Sequence, residues 1–131
     1  MDSEITEILS ELDSMSLFGT YHTSAYLPAE ETRESILEKL NNEIHNVMIM
    51  RITYPLKTNR RHILDEVESV VNFFNHIMER ENGVVIFCGL RKTTDYGLYV
   101  PIIKRINLPK PIKYQFHIGK RFVTKPAWDT L

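Results

Sequence analysis

The stretch NGVVIFCG, residues 82–89, decides the fold class. Upstream of it apolar residues recur at helical spacing, and at Asn82-Gly83 that period stops. VVIFC is a continuous apolar run held between glycines, the pattern of a strand buried on both faces. Before it, Ile63, Val67, Val70, Val71, Phe74, Ile77 and Met78 line one side of a helix for which Asn59 is a candidate N-cap. A core helix leading into a core strand implies a domain of mixed α and β structure.

Working outward, RKTTDYG (91–97) has the polar, turn-forming character of a loop, and LYVPIIKRI (98–106) reads as its returning strand. Pro101 has no N–H for a ladder bond, so that strand belongs at an edge or carries a bulge. IKYQFHI (112–118) alternates, with Ile112, Tyr114, Phe116 and Ile118 on one face and Lys113, Gln115 and His117 on the other. Toward the N-terminus, TYHTSAYL reads as a strand ending at Pro28. A surface helix over residues 3–15 carries Ile5, Ile8, Leu9 and Leu12. A second helix is expected from about Ala29, with Glu30 and Glu31 at the positive end of its dipole and Ile36, Leu37, Leu40 and Ile44 as its stripe. The connector HNVMIMRITYPLKTNRRHIL (45–64) is apolar, β-branched and basic, neither a good helix nor a polar loop. Its Val47–Ile52 run also reads as an ordinary core strand. The sum is an α+β domain, a small mixed sheet of about four strands packed with about three helices, in one unit over residues 1–131.

The chain, 131 residues with 43% hydrophobic and 25% charged side chains, has the composition of an ordinary globular protein with one core. Cys88 is the sole cysteine, which excludes an internal disulfide framework and points to a reducing compartment. The acidic start MDSEITEILSELDS has neither the basic opening of a signal peptide nor a membrane-spanning apolar run, so the expected location is the cytoplasm. Net charge conceals an asymmetry. Residues 1–45 hold ten acids against Arg33 and Lys39, a net of −8, whereas residues 46–131 hold fourteen bases against seven acids, a net of +7. A basic face suits a phosphate backbone, the alternative being that the two halves neutralise each other.

Catalytic machinery is not visible. The five histidines are dispersed and form no paired metal motif, so neither metal nor cofactor is expected, and no small-molecule substrate. Cys88 sits in the most apolar run, where a thiol behaves as a small hydrophobe. The glycines are scattered and cradle no phosphate. Binding residues are easier to name. Lys57, Arg60 and Arg61 put three cations at the start of the third helix against its dipole, Arg51 precedes them, and Lys110, Lys113, Lys120 and Arg121 make the region of the last strand basic.

The order of GTYHTSAYLPAEETRESILEKLNNE, NRRHILDEVESVV and NGVVIFCG resembles the N-terminal domain of eukaryotic and archaeal class-1 polypeptide release factors. The resemblance runs from about Gly19 to Leu131. It implies an α+β fold that reads the stop codon in the decoding site of the small ribosomal subunit. Carried over by residue, Gly19 and Thr20 match the first two positions of the family's GTS loop, and Tyr21 replaces its serine. Glu43 stands where the family has an acidic codon reader. The NIKS loop falls at Ile49–Ile52, here IMRI, where only Arg51 keeps a basic side chain. The YxCxxxF motif maps to Phe116, Ile118 and Phe122, which retain the last aromatic and lose the phenol and the thiol.

These departures remove donors and acceptors that single-stranded RNA recognition uses, while contacts to phosphate survive. The chain also has no Gly-Gly dipeptide for the family's GGQ loop. The expectation is a monomeric, non-enzymatic factor that binds rRNA and ribosomal proteins of the small subunit without catalysing release, in an inhibitory or dormancy role. The alternatives are the stop-codon recognition domain of a divergent termination factor and a protein-interaction module.

Overall fold

In the computed structural model, which describes residues 2–15, 21–49, 57–77, 81–92 and 99–131, the run Val84–Cys88 is buried throughout and lies in β2 (Val84–Lys92). β1 (His22–Leu27) pairs with it on one side and β3 (Tyr99–Asn107) on the other, and β4 (Gln115–Gly119) extends the sheet beyond β1. The order is β3-β2-β1-β4. Among the described residues every pairing is antiparallel, so the sheet expected to be mixed is not: successive strands run in opposite directions. Pro101 sits opposite Leu90 on the edge strand, where a missing donor is tolerated.

Helices cover both faces, and four stand among the described residues: α1 (Asp2–Ser14), α2 (Arg33–Ile49), α3 (Lys57–Asn75) and α4 (Lys125–Trp128). The last is a single turn containing Pro126, too short to leave a periodic signature in the sequence. Alternation along the central strands divides the core. Ala25, Leu27, Val84, Ile86 and Cys88 pack with Ile36 and Leu40 of α2 and Val70 and Phe74 of α3. Tyr26, Val85 and Phe87 face the other way, toward Leu9 and Leu12 of α1 and Ala127 of α4. Asp13 ties that second layer together, accepting hydrogen bonds from Thr124 Oγ1 and, at 2.9 Å, from Trp128 Nε1.

Several boundaries differ from the sequence expectation, each for a local reason. α2 starts at Arg33 rather than near Ala29, because Thr32 Oγ1 accepts the Ser35 N–H at 3.1 Å and so caps the helix there. It continues through Val47–Ile49, so that part of the connector is helix and not strand. Burial of Val47 against Ile63 and Val67 contributes roughly 1.5 kcal/mol, more than the few tenths by which a β-branched residue disfavours a helix. Residues 50–52 lie outside the described residues. Asn59 is inside α3, which begins two residues earlier. Met78, expected at the end of the stripe, also lies outside them. The alternation read over 112–118 holds from Tyr114: Tyr114 and Phe116 face α2 and α3, but Ile112, three residues before β4 begins, joins the α1 side.

One glycine is fixed by conformation. Gly83 has φ +116° and lies so close to Leu27 O and Ile112 that a β-carbon would come within 3.0 Å of each. It lets the chain pass into β2 beneath the end of β1.

Candidate functional site

α2 and α3 form an antiparallel hairpin. At one end the first turns of α2 meet the last turns of α3, through Ile36, Phe74 and Ile77. At the other, Val47 near the end of α2 packs on Ile63 and Val67, with Tyr21, Phe116 and Ile118 against them. This second end carries the predicted cations. α3 begins at Lys57, and Arg60 and Arg61 follow three and four residues later. Arg61 is exposed and Arg60 half-buried. Met48 and Ile49, the last two residues of α2, are also exposed. Arg51, Gly19 and Thr20 lie outside the described residues.

Beneath this surface runs a polar seam that the sequence reading does not single out. Thr23 Oγ1 donates to Glu66 Oε1 at 3.0 Å, and Glu66 Oε2 lies 2.8 Å from His62 Nε2. Burial pushes the Glu66 carboxyl up to about 8, partly opposed by the hydrogen bonds from Thr23. Burial lowers His62, with Asp65 acting in the opposite sense. Burial thus disfavours the charged form of both groups. Cys88, across the ladder from Thr23, is pushed up to about 12 by burial and then by Glu66, which makes it a poor nucleophile.

His22 completes the buried group on the opposite face of the sheet. It is fully buried, and burial, followed by the charge of His62, lowers it to about 4. Its ring lies 5.2 Å from that of Phe122 and occupies the space above Gly89, where a β-carbon would fall 2.2 Å from His22 Nδ1. The Cys88-Gly89 pair thus has separate uses, a thiol facing the seam and a bare backbone under an imidazole. The signal for the seam was present in α3: Glu66 interrupts the apolar stripe between Ile63 and Val70, four residues after His62.

The other predicted residues are spread around the domain. Lys120 and Arg121 line a cleft of about 630 Å³ with Asp13 and Phe122. Lys110 shares a second cleft with Lys125 and Asp129, which pair with each other at 3.0 Å. Lys113 borders a third with Glu30, Lys39 and Tyr114. Glu43 is half-buried on α2, and burial raises its carboxyl; its charge in turn adds to the burial that raises the Tyr114 hydroxyl. Phe116 and Ile118 belong to the apolar cluster around Val47, and Phe122 is buried edge-on against Phe87 at 5.6 Å. Among the described residues no group of His, Cys, Asp and Glu is arranged to hold a metal, and no helix is long and apolar enough to cross a membrane.

The family described as eRF1 domain 1 matches residues 2–131. The chain belongs to that family. Two solved structures are similar to this eRF1 domain 1. One is described as an archaeal protein (TM-score 0.76, 22% identity), and the other is the crystal structure of the archaeal translation termination factor aRF1 (TM-score 0.75, 22% identity). In both, 97% of this chain is covered by 34% of the other, so the chain spans about a third of the length of the structures it matches. At that identity the likeness is one of fold. By sequence, no curated protein matches the chain.

Proposed function

We propose that this eRF1 domain 1 is the codon-facing domain of a class-1 termination factor, seated on the small ribosomal subunit with the cation-bearing end of the α2–α3 hairpin toward RNA. The observation that carries the reading is the family match along residues 2–131. Lys57, Arg60 and Arg61 hold phosphates, a contact that positions the domain without reading sequence. Glu43, with Gly19 and Thr20, supplies what remains of base recognition. The domain itself is not catalytic and acts as a monomer in the cytoplasm, its partners being rRNA and ribosomal proteins; peptide release belongs to a different domain.

A second reading is a factor that occupies the ribosome without release, in an inhibitory or dormancy role. It is favoured by Phe116 and Ile118, which pack into the apolar cluster and offer a base no side-chain hydrogen bond. IMRI, with Arg51 as its one side-chain donor, supports it as well.

Binding to ribosomes with a stop or a sense codon in the A site separates the two. A codon-reading domain prefers at least one stop codon by about tenfold, equivalent to roughly 1.4 kcal/mol. Equal affinity for both leaves the non-releasing factor, and failure to bind either programmed ribosome overturns both readings.

A further inference from the structure

The sheet ends in two unlike edges. β4 has five residues, all half-buried, whereas β3 has nine, with Pro101 exposed and Val100 and Ile103 46% and 39% exposed. Among the described residues no strand pairs with the outer side of β3. One bond fixes which of its backbone groups point there. Leu108 N–H donates to Gly83 O at 3.0 Å, one step beyond the Asn107–Val84 pair, so Leu108 turns its polar groups toward the β2 side. An antiparallel ladder alternates, so Ile106, Lys104 and Ile102 also turn inward, and Asn107, Arg105, Ile103 and Pro101 turn outward. Pro101 thus stands where its missing N–H costs the ladder nothing.

Ile103, Arg105 and Asn107 accordingly offer N–H and C=O groups to a further strand. Arg105 Nε and Nη2 donate to Asn107 Oδ1 at 3.2 and 3.0 Å, which ties two of these three side chains together. A second copy of the chain is a poor occupant in every register. Symmetric pairing about Ile103 sets Pro101 against Arg105 at both ends, pairing about Lys104 sets lysine against lysine, and pairing about Arg105 sets arginine against arginine. RNA is a poor occupant too, because a strand edge presents as many carbonyl acceptors as donors and a phosphate has nothing to donate to them. Residues 99–110 hold Lys104, Arg105 and Lys110 and no acid, so charge complementarity asks for an acidic strand.

We propose that β3 is a docking edge for an extended acidic segment of a partner protein, which adds to the sheet as a fifth strand over Ile103–Asn107. Main-chain bonds supply the attachment, and acids opposite Lys104 and Arg105 supply the selectivity. The inference does not rest on the ribosome reading. β3 is the edge away from β4, whose Phe116 and Ile118 pack under the cation-bearing end of the hairpin.

The test follows amide hydrogen exchange by NMR in the full chain, with a blocked seven-residue peptide of alternating valine and glutamate as probe. A second peptide of the same sequence, N-methylated throughout, keeps the charge and removes the donors. The amides of Ile103, Arg105 and Asn107 are expected to exchange freely without peptide, to slow about tenfold when the first peptide saturates the chain, and to be unaffected by the second. Ile103→Pro removes an outward donor and no ladder bond, so the variant folds, as its unfolding midpoint checks, and binds the first peptide about tenfold more weakly. The N-methylated peptide decides the matter by itself if that variant unfolds. Slowing by neither peptide, or equally by both, overturns the proposal. So does slowing that grows with protein concentration alone, which makes the edge a contact between copies, or equal slowing by a uridine oligonucleotide, which makes it an RNA contact.

Discussion

At one end of the α2–α3 hairpin, Thr32 caps α2, and Arg33 closes α3 by donating to the carbonyls of Phe74 (2.9 Å) and Ile77. At the other, Met48, Ile49 and Arg61 face solvent above a buried seam of Thr23, His62 and Glu66. The first end directs its polar groups at the backbone, giving a second donor to the Phe74 carbonyl, which also accepts the Ile77 N–H at 3.0 Å, and one to the Ile77 carbonyl just past α3, and places the guanidinium 5.0 Å from the centre of the Phe74 ring. The second end puts positive charge at a helix N-terminus, where the dipole disfavours it, and buries titratable groups that cost stability. A feature that stability does not favour, at the end proposed to face RNA, is where a partner is to be sought.

The comparison breaks first at Arg33. Arg33→Ala removes two charge-assisted hydrogen bonds, at a cost of about 2–4 kcal/mol, although the Phe74 carbonyl keeps the Ile77 N–H. Urea unfolding measures it. Arg33→Lys recovers only part of the loss, since one ammonium cannot match the fork that reaches both carbonyls. Ribosome binding of the folded fraction stays unchanged, and a loss there contradicts the separation of the two ends.

Effects at the seam are somewhat smaller and depend on pH. His22 in the fold titrates at about 4, below the usual 6.5 or so of the unfolded chain, so its contribution is complete above the unfolded value and is lost as pH falls toward 4. Glu66 has the opposite sign: raised to about 8, its contribution is complete below the unfolded carboxylate range and is lost as pH rises through 8. Stability is therefore expected to decline on both sides, by about 1–3 kcal/mol for each group. His22→Leu flattens the acid limb and Glu66→Gln the alkaline limb, whatever either does to the baseline. Thermal unfolding from pH 4 to 9 reads both slopes, and parallel curves for wild type and both variants contradict the assignment.

Much of the architecture is written in local pattern. The α3 stripe and the VVIFC run announce themselves because a helix covering a sheet and a strand covered on both sides each enforce a period. Where local pattern misleads, a distant contact decides. The β-branched run from Val47 reads as strand, yet Ile63 and Val67 hold its first residues in a helix, and nothing nearby in sequence records that contact. Thr32 and Ser35 mark the start of α2, but Glu30 and Glu31 suggest an earlier one. The cations of α3 are legible as charge alone. The seam is legible by half: His62 and Glu66 have helical spacing, whereas Thr23, their third member, comes from a strand 43 residues before Glu66.

The smallest effect on stability accompanies the largest effect on binding. Lys57→Ala/Arg60→Ala/Arg61→Ala changes stability by no more than about 0.5 kcal/mol, as surface ion pairs contribute little and their loss is offset by relief of the unfavourable dipole interaction. Cosedimentation of this variant with small ribosomal subunits across a salt series tests most directly whether that end of the hairpin meets RNA. The account predicts weaker binding at low salt and a log–log salt slope shallower by about 2, near 0.7–0.9 for each lost phosphate contact. Unchanged affinity with an unchanged slope would contradict it.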